Sequence, residues 1–251
     1  MDTLLFNGNV LTMEPAPRAS AIAFRDGRIN AVGNSKTLLA QAGPQTVLHD
    51  LEGRTVVPGF IDAHAHIWKI GHLLTTMLDL RRVRSIEDLC AAVRQRDAEL
   101  PSRVWLQGRG FNEALLAERR KPTRNDLDKA VPDRPVVLTR TCGHIFAANS
   151  AALNLAGITA QTQPPVGGVI ERDERGEPNG LLHETAMGLI TRVMPPPTAS
   201  DFEKMILAAL EHQLSLGITS SSMNWAETFW NSFPISSCLA PIRSAECWMR
   251  A

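Results

Sequence analysis

Along the first 57 residues, apolar and polar positions fall into short runs that predict strands. LLFNGNVLTM is followed by AIAF, by Arg25-Asp26-Gly27 and by RINAVG. Asp-Gly between two apolar runs predicts a hairpin, because Gly accepts the positive φ that the turn requires. SKTLLAQAG predicts a short helix stopped at Gly43, and TVLHDLEG and RTVVPG return to strand character. The chain therefore opens with a small β module, without the strand–helix alternation of a dinucleotide-binding half.

Pro58-Gly59 interrupts this pattern, and FIDAHAHI follows as a buried-strand candidate. Residues 85–100 predict a helix capped by Ser85 and stopped by Pro101. Beyond it, VWLQGRGF, PVVLTR and GGVIERD read as strands. TRNDLDKA, NSAALNLAG and NGLLHETAMGLI read as helices, the second ended by Gly157. After the stiff Pro195-Pro196-Pro197 run, Ser200-Asp201-Phe202-Glu203 has the form of a capping box. Phe202, Met205, Ile206, Ala209, Leu210 and Leu214 then keep the 3.6-residue period of one buried helix face. Gly217 ends that helix and ITSSS reads as a strand, so the later part of the chain has α/β character. Residues 223–251 hold three of the five Trp and two of the four Cys with no clear period, a compositional break.

Composition narrows the function classes. The 26 basic residues balance 26 acidic ones, which argues against a nucleic-acid binder or a polybasic membrane patch. An apolar fraction of 44% with 21% charged residues is that of a globular chain. No run approaches the roughly 18 apolar residues of a membrane span, and MDTLLFNGNV lacks the form of a signal peptide. Cys90, Cys142, Cys238 and Cys247 form no C-x-x-C pair. A reduced, cytoplasmic protein is expected.

His64 and His66 flank Ala65 in the predicted strand. Side chains at i and i+2 of a strand share one face, so two imidazoles converge on one point. Neutral imidazole is a common zinc ligand, and catalytic zinc usually takes three protein ligands plus water. Seven histidines in 251 residues supply such a spacing by chance about 0.2 times. The tripeptide alone therefore fits a metal pair and a pair of ordinary hydrogen-bonding histidines equally well. His183-Glu184 is not the H-E-x-x-H zinc motif, since Met187 stands four residues after His183. Cys142 is a nucleophile only with a base beside it. The glycines at 108, 110, 167 and 168 make no nucleotide-binding loop.

The flanking residues add to this. VVPGFIDAHAHI, residues 56–67, resembles the first-strand signature of the amidohydrolase superfamily. Trp105, Gly108, Gly110-Phe111-Asn112, PTRNDLDKAVPDRPVVLTR, GHIFAANSAALNLAGI, GGVIERDERGEPNGLL and the closing GIT resemble its amidohydrolase-3 branch, the group that includes N-substituted formamide deformylase. The likeness runs in continuous order over roughly residues 4–222.

That resemblance implies an α/β protein: a β module over residues 1–57 and the start of a metal-dependent (β/α)8 barrel over 58–100. An α+β insertion would follow over 101–194, and a second barrel helix and strand over 195–222. It implies hydrolysis of carbon–nitrogen bonds other than peptide bonds, in a small amide- or formamide-like substrate. A divalent metal, most often zinc, would be held by His64 and His66, with Asp62 orienting the site. Such a metal acidifies water and polarises the amide carbonyl, and a carboxylate moves the proton to the leaving nitrogen. His144 matches a family position and is a candidate substrate contact, against the plainer reading of a structural His beside a glycine. Glu184, on a helix lining the insertion, and Trp68, at the pocket mouth or in the core, are weighed in the same way. His72 and His212 are expected on surfaces or helix faces.

The chain departs from the family where a bridging residue, two further His and an Asp are needed on later strands. After His66 it has only His72, His144, His183 and His212, all before the second strand candidate. A (β/α)8 barrel takes about 250 residues, whereas 251 − 64 + 1 = 188 run from His64 to the end. The expectation is an incomplete barrel of at most two strands. It would be the N-terminal part of a longer enzyme, inactive or marginally stable alone, with unpaired strand edges prone to self-association. A frame change, early stop or altered exon would account for residues 223–251. The competing reading is a non-catalytic binding or oligomerisation protein derived from an amidohydrolase. Ring deamination or lactam opening is a third possibility within the superfamily.

Overall fold

The computed structural model describes residues 1–15, 17–102 and 104–223; of the compositional break over residues 223–251, all but Met223 lies outside the described residues. In chain order the elements are β1 (Thr3–Phe6), β2 (Asn9–Leu11), β3 (Arg18–Ala19), β4 (Ala21–Arg25), β5 (Arg28–Gly33), α1 (Ser35–Ala40), β6 (Val47–Asp50), β7 (Thr55–Val56) and β8 (Phe60–Ala65). There follow α2 (Ile67–Thr75), β9 (Leu78–Asp79), α3 (Ile86–Glu99), β10 (Leu106–Phe111), α4 (Arg124–Ala130), β11 (Val136–Arg140) and β12 (Ile145–Ala148). The rest are α5 (Ser150–Leu155), β13 (Gly168–Arg172), β14 (Pro178–Glu184), α6 (Met187–Thr191), α7 (Ala199–Ser215) and β15 (Ile218–Met223). No helix among the described residues is long and apolar enough to cross a membrane.

The described residues divide into two compact units, 1–65 with 211–223, and 66–210. The first unit holds a four-stranded sheet in the order β5-β4-β1-β6 and a three-stranded sheet β3-β2-β7. The β4–β5 hairpin turns at Asp26 and Gly27 with φ of 51° and 70°, the double positive φ for which Asp-Gly is selected. Leu4, Ala21, Ala23 and Leu38 form its buried core. The same unit holds a separate two-stranded parallel pair, β8 with β15, in which Asp62 stands opposite Ser221. Gly59 admits this pairing, since a Cβ there would lie 2.1 Å from Thr219 Oγ1.

The second unit is built on a six-stranded mixed sheet, β13-β14-β12-β11-β10-β9. β9, β10 and β11 run parallel, and β12, β14 and β13 add antiparallel pairs. Leu106, Val136, Leu138 and Leu181 enter one apolar core, and Val137, Phe146, Ile170 and Leu182 the other. Central strands buried on both faces read as continuous apolar runs, not alternating ones. This corrects the helix expected over NGLLHETAMGLI: residues 178–184 are strand, and the helix is confined to Met187–Thr191.

Helix starts follow capping chemistry. Ser85 Oγ accepts the Asp88 N–H at 2.9 Å, as expected. Asn149, fully buried, accepts the Val136 and Ala152 N–H groups and donates to the Val131 and Arg134 carbonyls. The cap of α7 differs from expectation. Thr198 and Asp201 satisfy each other's backbone N–H groups, so the helix starts ahead of Ser200. Both Thr198 and Ser200 stand three residues before a carboxylate, and the earlier pair sets the start two residues sooner, at Ala199.

Candidate functional site

β8 carries Asp62 and His64. The strand was expected to be buried, but Phe60 and Ile61, which face opposite sides, are 58% and 73% exposed. It was also expected to extend through both histidines. It stops at Ala65, and His66 is the N-cap residue of α2, with φ −106° and ψ 72°. His64 therefore lies within the strand and His66 beyond it, so the strict i, i+2 strand geometry does not extend over the pair. His66 uses its carbonyl to accept the Lys69 and Ile70 N–H groups. Asp62 Oδ1 accepts the His64 backbone N–H at 3.0 Å, which fixes the chain at the end of the strand. Both histidines are exposed.

The donor set can be tested against a divalent metal. Two imidazoles are suitable in kind for zinc. Among the described residues, however, no three His, Cys, Asp or Glu side chains form a metal-holding group. The described residues thus supply no closed set of metal donors.

Trp68, on the first turn of α2, packs edge-on against Phe202 of α7 with ring centroids 6.2 Å apart, and Lys69 Nζ lies 5.5 Å from its ring centre. α2 and α7 approach closely because Gly71 has no side chain; a Cβ there would lie 1.7 Å from the Met205 carbonyl oxygen. His72, expected on a surface or helix face, lies on α2 and is half-buried, and burial lowers its pKa.

In the second unit, the structure brings His144 and Glu184 together: His144 Nδ1 lies 2.9 Å from Glu184 Oε2. Glu184 is the last residue of β14 and has φ 51°, a left-handed conformation that a non-glycine residue adopts at some cost. Cys142 is exposed, and its Sγ accepts the His144 N–H at 3.4 Å. Burial pushes this thiol up, but the His144 N–H and the Arg140 guanidinium outweigh it, leaving the pKa below the ordinary thiol value. Arg140 is itself held by both carboxylate oxygens of Glu113, at 2.8 and 2.9 Å.

A second cluster, not foreseen from the sequence, lies across the sheet. His183 Nε2 and Lys121 Nζ both reach Glu171 Oε1, at 2.6 and 2.7 Å. Its members are 12 and 50 residues apart, and no spacing motif joins them.

The sequence model of the amidohydrolase family matches residues 47–244, and the chain belongs to that family. It is 38% identical over 222 residues to the Bacillus subtilis protein YtcJ, which carries an amidohydrolase name; the match covers 87% of this chain and 42% of YtcJ. It is 35% identical over 192 residues to the N-substituted formamide deformylase of Arthrobacter pascens, covering 75% of this chain and 35% of that protein. Among solved structures, an uncharacterized metal-dependent hydrolase from Pyrococcus furiosus superposes with a TM-score of 0.65 at 32% identity, over 87% of this chain and 43% of that one. The chain spans about two fifths of the length of these relatives.

Proposed function

We propose that this chain carries part of the metal site of a hydrolase acting on carbon–nitrogen bonds other than peptide bonds, with a small amide- or formamide-like molecule as substrate. The observation that carries this reading is the family match over residues 47–244, which contains Asp62-Ala63-His64-Ala65-His66 at the end of β8. In this reading β8 and β15 are neighbouring strands at the start of a (β/α)8 barrel. Parallel pairing of two strands separated by more than 150 residues of intervening chain supports it.

His64 and His66 would hold the divalent ion, zinc being the ion best suited to imidazole ligands that leave open positions. A bound ion would supply Lewis acidity toward the carbonyl oxygen and toward water. Asp62 acts from behind: by accepting the His64 N–H it fixes the strand end from which that imidazole projects. The exposed apolar residues Phe60 and Ile61 on the two faces of β8 support self-association of the chain as purified.

The test is metal content of the full chain after zinc loading and removal of excess. Zinc retained by the wild type and lost from the His64→Ala, His66→Ala double variant supports the reading. Equal retention by both, or none by either, overturns it. No retention, with no turnover of formamides or acylated amines, favours instead the non-catalytic binding protein; the lack of a three-donor group among the described residues is the observation on that side.

A further inference from the structure

Ligands of open α/β sheets bind beyond the carboxyl ends of parallel strands. In the second unit those ends belong to β9, β10 and β11, whose register sets Arg109 level with Asp79 on one side and Thr139 on the other. The charged groups at this rim are largely matched. Asp79 binds Arg81 at 2.7 and 2.9 Å, Glu113 binds Arg140 and Glu184 binds His144. Arg109 is the exception. It is half-buried, and its guanidinium makes no ion pair or hydrogen bond among the described residues.

Arg109 does have a defined position. Its guanidinium lies against Gly143, where a Cβ would stand 3.1 Å from Nη2 and 3.7 Å from Nη1. Gly143 has φ 84° and joins Cys142 to His144. The glycine thus lets the cation approach the backbone of the turn that carries His144. In the neutral imidazole, an Nδ1–H donated to Glu184 leaves Nε2 as an acceptor.

We propose that Arg109 and His144 form a subsite for a small organic carboxylate bearing a hydrogen-bond donor. The planar guanidinium takes the carboxylate as a two-pronged partner, and His144 Nε2 accepts an O–H or N–H on the same molecule. This assignment stands apart from the metal reading, because every residue in it belongs to the second unit and binding is read without metal.

The experiment is titration of the full chain with glycolate, acetate and inorganic phosphate, followed by NMR of the histidine ring signals. Saturable glycolate binding is expected, tighter than acetate. Arg109→Gln should weaken both about tenfold or more, equivalent to ~1.4 kcal/mol, with Arg109→Lys retaining part of the affinity. His144→Ala should remove the preference for glycolate over acetate. An unchanged far-UV spectrum and melting temperature for Arg109→Gln separates lost binding from lost folding. Absence of saturable carboxylate binding, undiminished binding by a folded Arg109→Gln variant, or phosphate binding in place of carboxylate overturns the proposal.

Discussion

His183 Nε2 lies 2.6 Å from Glu171 Oε1, a contact between neighbouring antiparallel strands that turns His183 away from the partner of its neighbour Glu184. The two consecutive residues serve different clusters: His183 joins Lys121 and Glu171, and Glu184 joins His144.

Glu171 titrates below the ordinary glutamate value; burial raises it, but Lys121, His183 and Asn179 outweigh that. A depressed folded-state pKa stabilises above the unfolded value of 4.5 and loses that contribution as pH falls through the folded one. Glu171→Gln should therefore cost about 1–2 kcal/mol at neutral pH. Its difference from wild type in urea unfolding should close as the medium is acidified below that value. A difference that does not change with pH would refute this.

Asp126 shows the same sign more strongly. Burial raises its pKa, but Arg120 and the backbone and hydroxyl of Thr123 lower it to about 2. Its contribution is present above 3.8 and lost toward about 2. Asp126→Ala, which removes the capping box of α4, should cost about 1–2 kcal/mol at pH 7. Acid unfolding of the wild type should show part of this loss in that interval.

Gly71→Ala should destabilise by about 3 kcal/mol or more, because the added methyl would meet the Met205 carbonyl, a backbone atom that cannot rotate aside. Gly43→Ala is the control, since a Cβ there meets nothing within 4 Å. Thermal melts of the two variants separate the prediction from a general intolerance of Gly-to-Ala change.

At Asp62 the two obvious substitutions should part company. Asn keeps an oxygen that accepts the His64 N–H, and Ala does not. If His64 binds zinc, Asp62→Ala should weaken zinc affinity about 10–100-fold, and Asp62→Asn should weaken it less. A competition titration with a chromophoric chelator measures both; equal losses would sink the positioning role.

Local chemistry was legible in the chain. Asp26-Gly27 gives the hairpin, Ser85 gives the cap of α3, and Gly157 closes α5 with φ 64°. Each depends on residues a few positions apart. The strand at 178–184 was not legible, because Leu181 and Leu182 face opposite cores and a run apolar on both sides has no period of two to detect. At the candidate site, the His64-Ala65-His66 spacing was visible, but the end of β8 at Ala65 was not: only the helix that starts after His66 decides it. The Glu171 cluster and the Arg109 approach to Gly143 depend on strand order, which no window of sequence contains.

The four hydrogen bonds of the Asn149 side chain have a dynamic consequence. They join the end of α4, the loop at Arg134, the start of β11 and the first turn of α5 through one amide. These segments cannot fray one at a time without stranding a buried polar group. Residues 131–153 should open together, and the slowly exchanging amide protons of β11 and α5 should share a single opening free energy, one that falls for the whole stretch when Asn149 is replaced.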